Sequence, residues 1–159
     1  MSSNRLQVGD KVPAFTLLDQ DGKAVSLDEL LKAGCLVLYF YPKDDTPGCT
    51  VEACTFRDQH QELVQEGATV VGVSSDSVES HRHFADKYGI PFRLLADKGG
   101  KLRKQFGVPR TLGLLDGRVT YVIDGQGIVR HIFDSQLRMR QHVEEAFRLV
   151  RTLRETGQP

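Results

Sequence analysis

Cys35-Leu-Val-Leu-Tyr-Phe-Tyr41-Pro-Lys-Asp-Asp-Thr-Pro-Gly-Cys49-Thr-Val-Glu-Ala-Cys54 holds the sharpest structural signal in the chain. Its first seven residues form a continuous apolar run. The run is far too short to span a bilayer and lacks the alternation of a half-exposed strand. It reads as a strand buried on both faces, as in a parallel sheet covered by helices. Pro42 to Gly48 reads as a loop. A helix is expected from about Cys49 to Gln65, with Ala53, Phe56, His60, Leu63 and Val64 at helical spacing. The two cysteines therefore stand where a buried strand gives way to a helix. In open α/β sheets, ligands gather beyond the carboxyl ends of the strands.

Upstream, Val12 to Leu18 is apolar-rich and ends at the turn signal Asp19-Gln-Asp-Gly. Ser26 is placed to cap a short helical turn through Leu31. Downstream, Ala68 to Ser74 reads as a second buried strand. Ser77 caps the next helix, with Glu79 in its first turn and Gly89 just past its end. Phe92 to Ala96 is a short strand and Gly100 to Phe106 a short helix. Val119 to Ile123 and Ile128 to Phe133 form a hairpin across Asp124-Gly-Gln-Gly. The last helix is expected over about Arg140 to Arg154, with Val143, Ala146, Phe147, Val150 and Leu153 as its apolar stripe. This order predicts an α/β domain of thioredoxin-like layout. Its central mixed β-sheet is flanked by helices on both faces and opens with an N-terminal β-hairpin.

A length of 159 residues suits one domain, so residues 1–159 are read as a single unit. Lys plus Arg and Asp plus Glu both total 21, which argues against nucleic-acid or membrane binding driven by bulk charge. The N-terminal residues carry neither an apolar leader core nor an Arg/Ser-rich transit pattern, so a cytoplasmic location is expected. Only three cysteines are present, Cys35, Cys49 and Cys54. So few do not make a secreted disulfide scaffold; a close pair in a reducing compartment points to redox chemistry or metal.

Cys49 falls at the start of its helix, where free backbone N–H groups and the positive end of the dipole favour a thiolate. Such positions make cysteine nucleophilic. Thr46 lies three residues earlier, close enough for its hydroxyl to point at the same sulfur, and Pro42 and Pro47 stiffen the loop. The competing reading is a plain buried thiol, which the polar, Gly/Pro-rich setting opposes. Five steps along a helix separate Cys49 and Cys54 by about 140° and roughly 8.7 Å between Cα atoms. A disulfide needs at most about 7 Å. The pair can bond only if the helix unwinds at its start. Cys35, inside the apolar strand, reads as inert packing. Metal binding is not expected: His81 and His83, two residues apart on a helix, diverge, and the cysteine spacing fits no common zinc pattern.

Phe40-Tyr-Pro-Lys-Asp-Asp-Thr-Pro-Gly-Cys-Thr-Val-Glu-Ala-Cys-Thr-Phe-Arg-Asp58 resembles the active-site segment of the peroxiredoxins, and most closely their Q-type, or bacterioferritin-comigratory, branch. The family pattern P-x-x-x-[TS]-x-x-C is met by Pro42, Thr46 and Cys49. The pair with Cys54 is similar to the Q-type branch in particular. The likeness extends from Val8-Gly-Asp-Lys-Val-Pro-Ala-Phe15 to the last helix. Phe106 to Gly117 looks like the plant and cyanobacterial form. The resemblance implies a hydroperoxide substrate, Cys49 as peroxidatic cysteine and Cys54 as resolving cysteine. It further implies an intramolecular disulfide reduced by a thioredoxin-type partner, and a monomer. No metal, haem or flavin is implied. Arg118 matches the family's peroxide-polarising arginine, and Glu52 matches a carboxylate expected to pair with it. Arg57 and Asp58 match as well, with a spacing that fits structural pairing.

Two other functions compete. A thioredoxin-like disulfide oxidoreductase is opposed by the absence of a CxxC motif. A non-enzymatic redox-sensing module would use the same cysteine switch but signal to a partner.

Overall fold

The computed structural model describes residues 5–111 and 115–157. The apolar run forms a strand, β3 (Cys35–Phe40), every residue of which is buried. Its side chains alternate between two cores. Cys35, Val37 and Tyr39 face one, and Leu36, Leu38 and Phe40 the other. This is the pattern expected of a strand covered on both sides.

Around it lie β1 (Thr16–Leu18), β2 (Ala24–Ser26), β4 (Ala68–Ser74), β5 (Arg93–Ala96), β8 (Val119–Ile123) and β9 (Val129–Asp134). The seven strands run in the order β2-β1-β5-β4-β3-β8-β9. β3 pairs parallel with β4, and β4 parallel with β5. β8 and β9 add antiparallel strands at one edge, and the β1–β2 hairpin adds them at the other. The sheet is mixed, as the sequence predicts. Two short strands outside it, β6 (Arg110–Thr111) and β7 (Leu115–Asp116), form a small ladder that the sequence reading did not anticipate.

The helices are α1 (Leu27–Leu31), α2 (Pro47–Gln65), α3 (Val78–Tyr88), α4 (Lys101–Phe106) and α5 (Met139–Glu155). Helices α2, α3 and α5 cover one face of the sheet, and α1 and α4 the other. The caps are where the sequence places them. Ser26 accepts from the Glu29 amide, Ser77 from the Ser80 amide, and Gly89 ends α3 in a left-handed conformation. No helix among the described residues is long and apolar enough to cross a membrane.

Candidate active site

Helix α2 begins two residues earlier than its apolar spacing suggests. Thr46 is extended and occupies the N-cap position, with Pro47 first in the helix. Proline suits that position, because the N–H it lacks would have had no partner. The first helical bond runs from Thr50 N to Thr46 O at 2.8 Å. The Cys49 amide thus belongs to the open first turn, at the positive end of the dipole.

Cys49 itself is only 1 % exposed and packs in the α2 side of the core. This corrects the sequence reading, which took the polar loop as an argument against burial. A guanidinium nevertheless reaches the sulfur. Arg118 Nη2 donates to Cys49 Sγ at 3.5 Å, Nη1 to Glu52 Oε1 at 2.7 Å, and Nε to the Gln136 carbonyl at 3.1 Å. Arg118 stands just before β8, which is antiparallel to β3, so Val119 lies opposite Phe40. This pairing carries a residue 69 positions away to the head of α2. The expected pairing of Glu52 with Arg118 is present, and both side chains are buried.

Gly48 explains how the arginine gets so close. A Cβ there would lie 3.0 Å from Arg118 Nη2 and 3.3 Å from Met139 Cε. Glycine keeps that space open. A second guanidinium braces the site. Arg103 donates to the Tyr41 carbonyl at 2.7 Å and to the Gly117 carbonyl at 2.8 Å. It therefore ties the residue before Pro42 to the residue before Arg118.

The Pro42–Gly48 loop is fixed from the side of α3. Asp44 accepts from Tyr41 OH and Ser80 OH, and lies 2.6 Å from His81 Nδ1. The Asp44 amide donates to Asp76. Asp45 has a positive φ of 60° and is held by Lys87 and Tyr88 OH. His81 thus pairs with Asp44 rather than with His83. Asp44, Asp76 and His81 offer ligand atoms within 4.8 Å of one another, and their further bonds, from the Ser74 hydroxyl to Asp76 and between His81 Nε2 and the Leu95 carbonyl, fix the loop to β4 and β5.

Thr46 departs from expectation. Its hydroxyl donates to the Lys43 carbonyl at 2.8 Å, so its one proton is directed away from the sulfur. Cys54 is half-buried, and both it and Cys49 are free thiols on an intact helix, in keeping with the helical geometry. Burial, with Asp124 nearby, pushes the Cys35 thiol up to about 12. That fits its reading as inert packing. Arg57 bonds to Asp58 and to the Tyr88 carbonyl, a tether between α2 and α3.

The AhpC/TSA family profile matches residues 8–132. The chain belongs to the AhpC/TSA family. Within that family it is similar to the peroxiredoxin Q of Sedum lineare chloroplasts, at 48 % identity over 92 % of this chain and 78 % of that protein. Among solved structures it resembles the peroxidoxin BcpB of Mycobacterium tuberculosis. The TM-score is 0.88 at 39 % identity, covering 94 % of this chain and 99 % of that one. It also resembles the Xanthomonas campestris bacterioferritin comigratory protein, studied for alkyl peroxide reduction. There the TM-score is 0.81 at 29 % identity, over 88 % and 92 % of the two chains. Of the segment Phe106 to Gly117 read as plant-like, residues 112–114 lie outside the described residues. Membership makes the chain a thiol-dependent peroxidase with a thioredoxin-type fold.

The peroxiredoxin site includes residues that sequence reading missed. His142 is completely buried between α5 and β8, 3.6 Å from Glu52 Oε2. A signal was there: His142, Ala146 and Val150 share one stripe of α5, and a polar residue on a buried stripe needs a partner. Arg103 and Gly48 gave weaker signals, since their partners are distant in sequence.

Burial drives Glu52 up to about 7 against the downward pull of Arg118. A carboxyl raised on folding contributes stability that is fully present below its unfolded value and lost as pH rises through the folded one. Relative to Glu52→Gln, the reduced parent protein should lose roughly 3 kcal/mol between pH below 4.5 and pH above 7. Burial pushes His142 the other way in effect, down to about 4 from 6.5, so its contribution is lost as pH falls. The difference between the two proteins removes that opposing slope. Denaturant melts at several pH values measure it, and a pH-independent difference would contradict the assignment.

Proposed function

We propose that Cys49 reduces hydroperoxides directly and that Cys54 resolves the product. The contact of Arg118 with both Cys49 and Glu52 carries this reading. The Cys49 thiolate attacks the terminal oxygen of ROOH. The S–O bond forms as the O–O bond breaks, leaving a sulfenic acid and an alkoxide that takes up a proton to become ROH. Negative charge moves from sulfur to the leaving oxygen, and the fixed Arg118 cation lies where both ends can use it. Glu52 holds that cation in place. Thr46 and Pro42 shape the loop that admits the peroxide. Alkyl hydroperoxides join hydrogen peroxide as proposed substrates, supported by the study of the Xanthomonas relative.

Cys54 then attacks the sulfenic sulfur, forming a disulfide and releasing water. On the intact helix the two sulfurs point about 140° apart, so the start of α2 unwinds for this step. A dithiol of thioredoxin type reduces the disulfide by exchange. A monomeric, cytoplasmic enzyme completes the proposal, and sedimentation checks the first of these.

Mass spectrometry after one equivalent of peroxide tests the cycle. A Cys49–Cys54 bridge is expected. In Cys54→Ser the bridge should be absent and turnover with thioredoxin should fall, while the first oxidation of Cys49 proceeds. Unmodified thiols, or a bridge to Cys35, would overturn the scheme.

A further inference from the structure

Glu52 Oε2 is completely buried and has no hydrogen-bond partner among the described residues. It faces His142 Nδ1 across 3.6 Å. The tautomer of that histidine follows from its other contacts. Nε2 lies 2.7 Å from the Ser135 carbonyl, which only accepts, so Nε2 carries the proton. Nδ1 lies 2.7 Å from Thr120 Oγ1. Burial keeps the ring neutral at ordinary pH. Nδ1 therefore presents a lone pair, with the Thr120 hydroxyl donating to it. An ionised Glu52 would set a carboxylate oxygen against that lone pair. A proton on Oε2 removes the conflict.

We propose that His142 holds Glu52 in its acid form, so that the charge of Arg118 is left to Cys49. This rests on Cys49 being the reacting cysteine. One cation serves two potential anions at this site. If Glu52 is a carboxylate, it competes with the sulfur for Arg118. If Glu52 is a neutral acid, its Oε1 still accepts from Nη1 and fixes the guanidinium without neutralising it. The other titratable groups facing this pair are Tyr39 from β3, whose hydroxyl is buried without a hydrogen-bond partner among the described residues, and Asp134 from the end of β9. Burial drives the Tyr39 phenol well above its ordinary range, so it stays neutral. Asp134 is exposed and bonded to Arg5. Neither supplies Oε2 with a donor. His142 is thus a positioning residue that acts through a proton.

A double-mutant cycle tests this, read by the thiolate ultraviolet absorbance and by the pH profile of the peroxide step. His142→Asn places an amide donor toward Oε2 and favours the carboxylate. It should move both profiles to higher pH by about one unit, an approximately tenfold slower step near neutrality. In Glu52→Gln, where nothing ionises, His142→Asn should shift neither profile. A merely structural histidine would slow the reaction at every pH in both backgrounds, and that result overturns the proposal. Infrared spectroscopy of the reduced parent protein gives a second reading. A buried carboxylic-acid band, absent in Glu52→Gln, is expected at neutral pH, and its absence overturns the proposal as well. Undiminished peroxide turnover in Cys49→Ser would instead show that the underlying choice of cysteine was wrong.

Discussion

The Cys49→Ser protein is expected to consume no hydroperoxide above background, a loss on the order of 10⁴-fold or more. A serine hydroxyl in the same place stays protonated at neutral pH and cannot accept the transferred oxygen as sulfur does. No other thiol can substitute. Cys35 lies in the middle of the core with its thiol pushed up to about 12, so almost none is ionised. Cys54 is on the same helix as Cys49 but about 140° around it, away from the Arg118 contact. Oxygen-electrode or ferrous-ion assays with excess reductant measure the loss. Cys35→Ser is the matched control and should keep its activity. If Cys49→Ser retained turnover while Cys35→Ser or Cys54→Ser lost it, the reacting sulfur would lie elsewhere.

The sequence disclosed the frame of this site because its signals are local. Seven apolar residues from Cys35 to Tyr41 specify a strand buried on both faces, and its alternate side chains enter two cores. Pro42, Pro47 and Gly48 mark the loop, and α2 follows. The start of α2 was misjudged by two residues, because hydrophobic spacing does not register a first turn built from Thr46, Pro47 and Gly48. The burial of Cys49 was misjudged for a different reason. The loop before it is polar, yet its charges are directed sideways into α3 through Asp44 and Asp45, and the sulfur faces the core.

What stayed hidden depends on strand pairing. Nothing near Arg118 in the chain suggests a sulfur as its neighbour; the β3–β8 register brings it there. The family resemblance supplied that residue, and the geometry gives it a physical reason. His142 and Arg103 had no such help. Each acts across more than ten residues of sequence on a backbone carbonyl or a buried carboxyl. The small β6–β7 ladder was missed because two-residue strands carry no periodicity to read.

Loss of Arg118 should be the next most damaging change after loss of the sulfur. Arg118→Met is expected to lower kcat/KM for hydrogen peroxide by about 10²–10³-fold, the range seen when one preorganised donor to a developing charge is removed. The methionine keeps most of the apolar stem, so the loss is chiefly electrostatic. Arg118→Lys should not restore the rate. The guanidinium reaches the Gln136 carbonyl, Glu52 and Cys49 from three separate nitrogens, and a single ammonium cannot hold that fork. Stability should respond less than activity. Removing one partner of a buried ion pair costs about 3–5 kcal/mol when the other stays charged. Glu52 sits at about 7 even with Arg118 beside it, so without the arginine it is held as a neutral acid and most of that penalty does not arise. Gly48→Ala offers a gentler check at the same contact, since the new methyl would lie 3.0 Å from Nη2 and must displace it. Its rate should fall in the same direction by a smaller factor, with Cys49 and Glu52 untouched. Stopped-flow measurement of the first oxidation separates this step from disulfide formation. An Arg118→Met protein that oxidises Cys49 at the parent rate would show that the cation beside the sulfur supports the fold and takes no part in the chemistry.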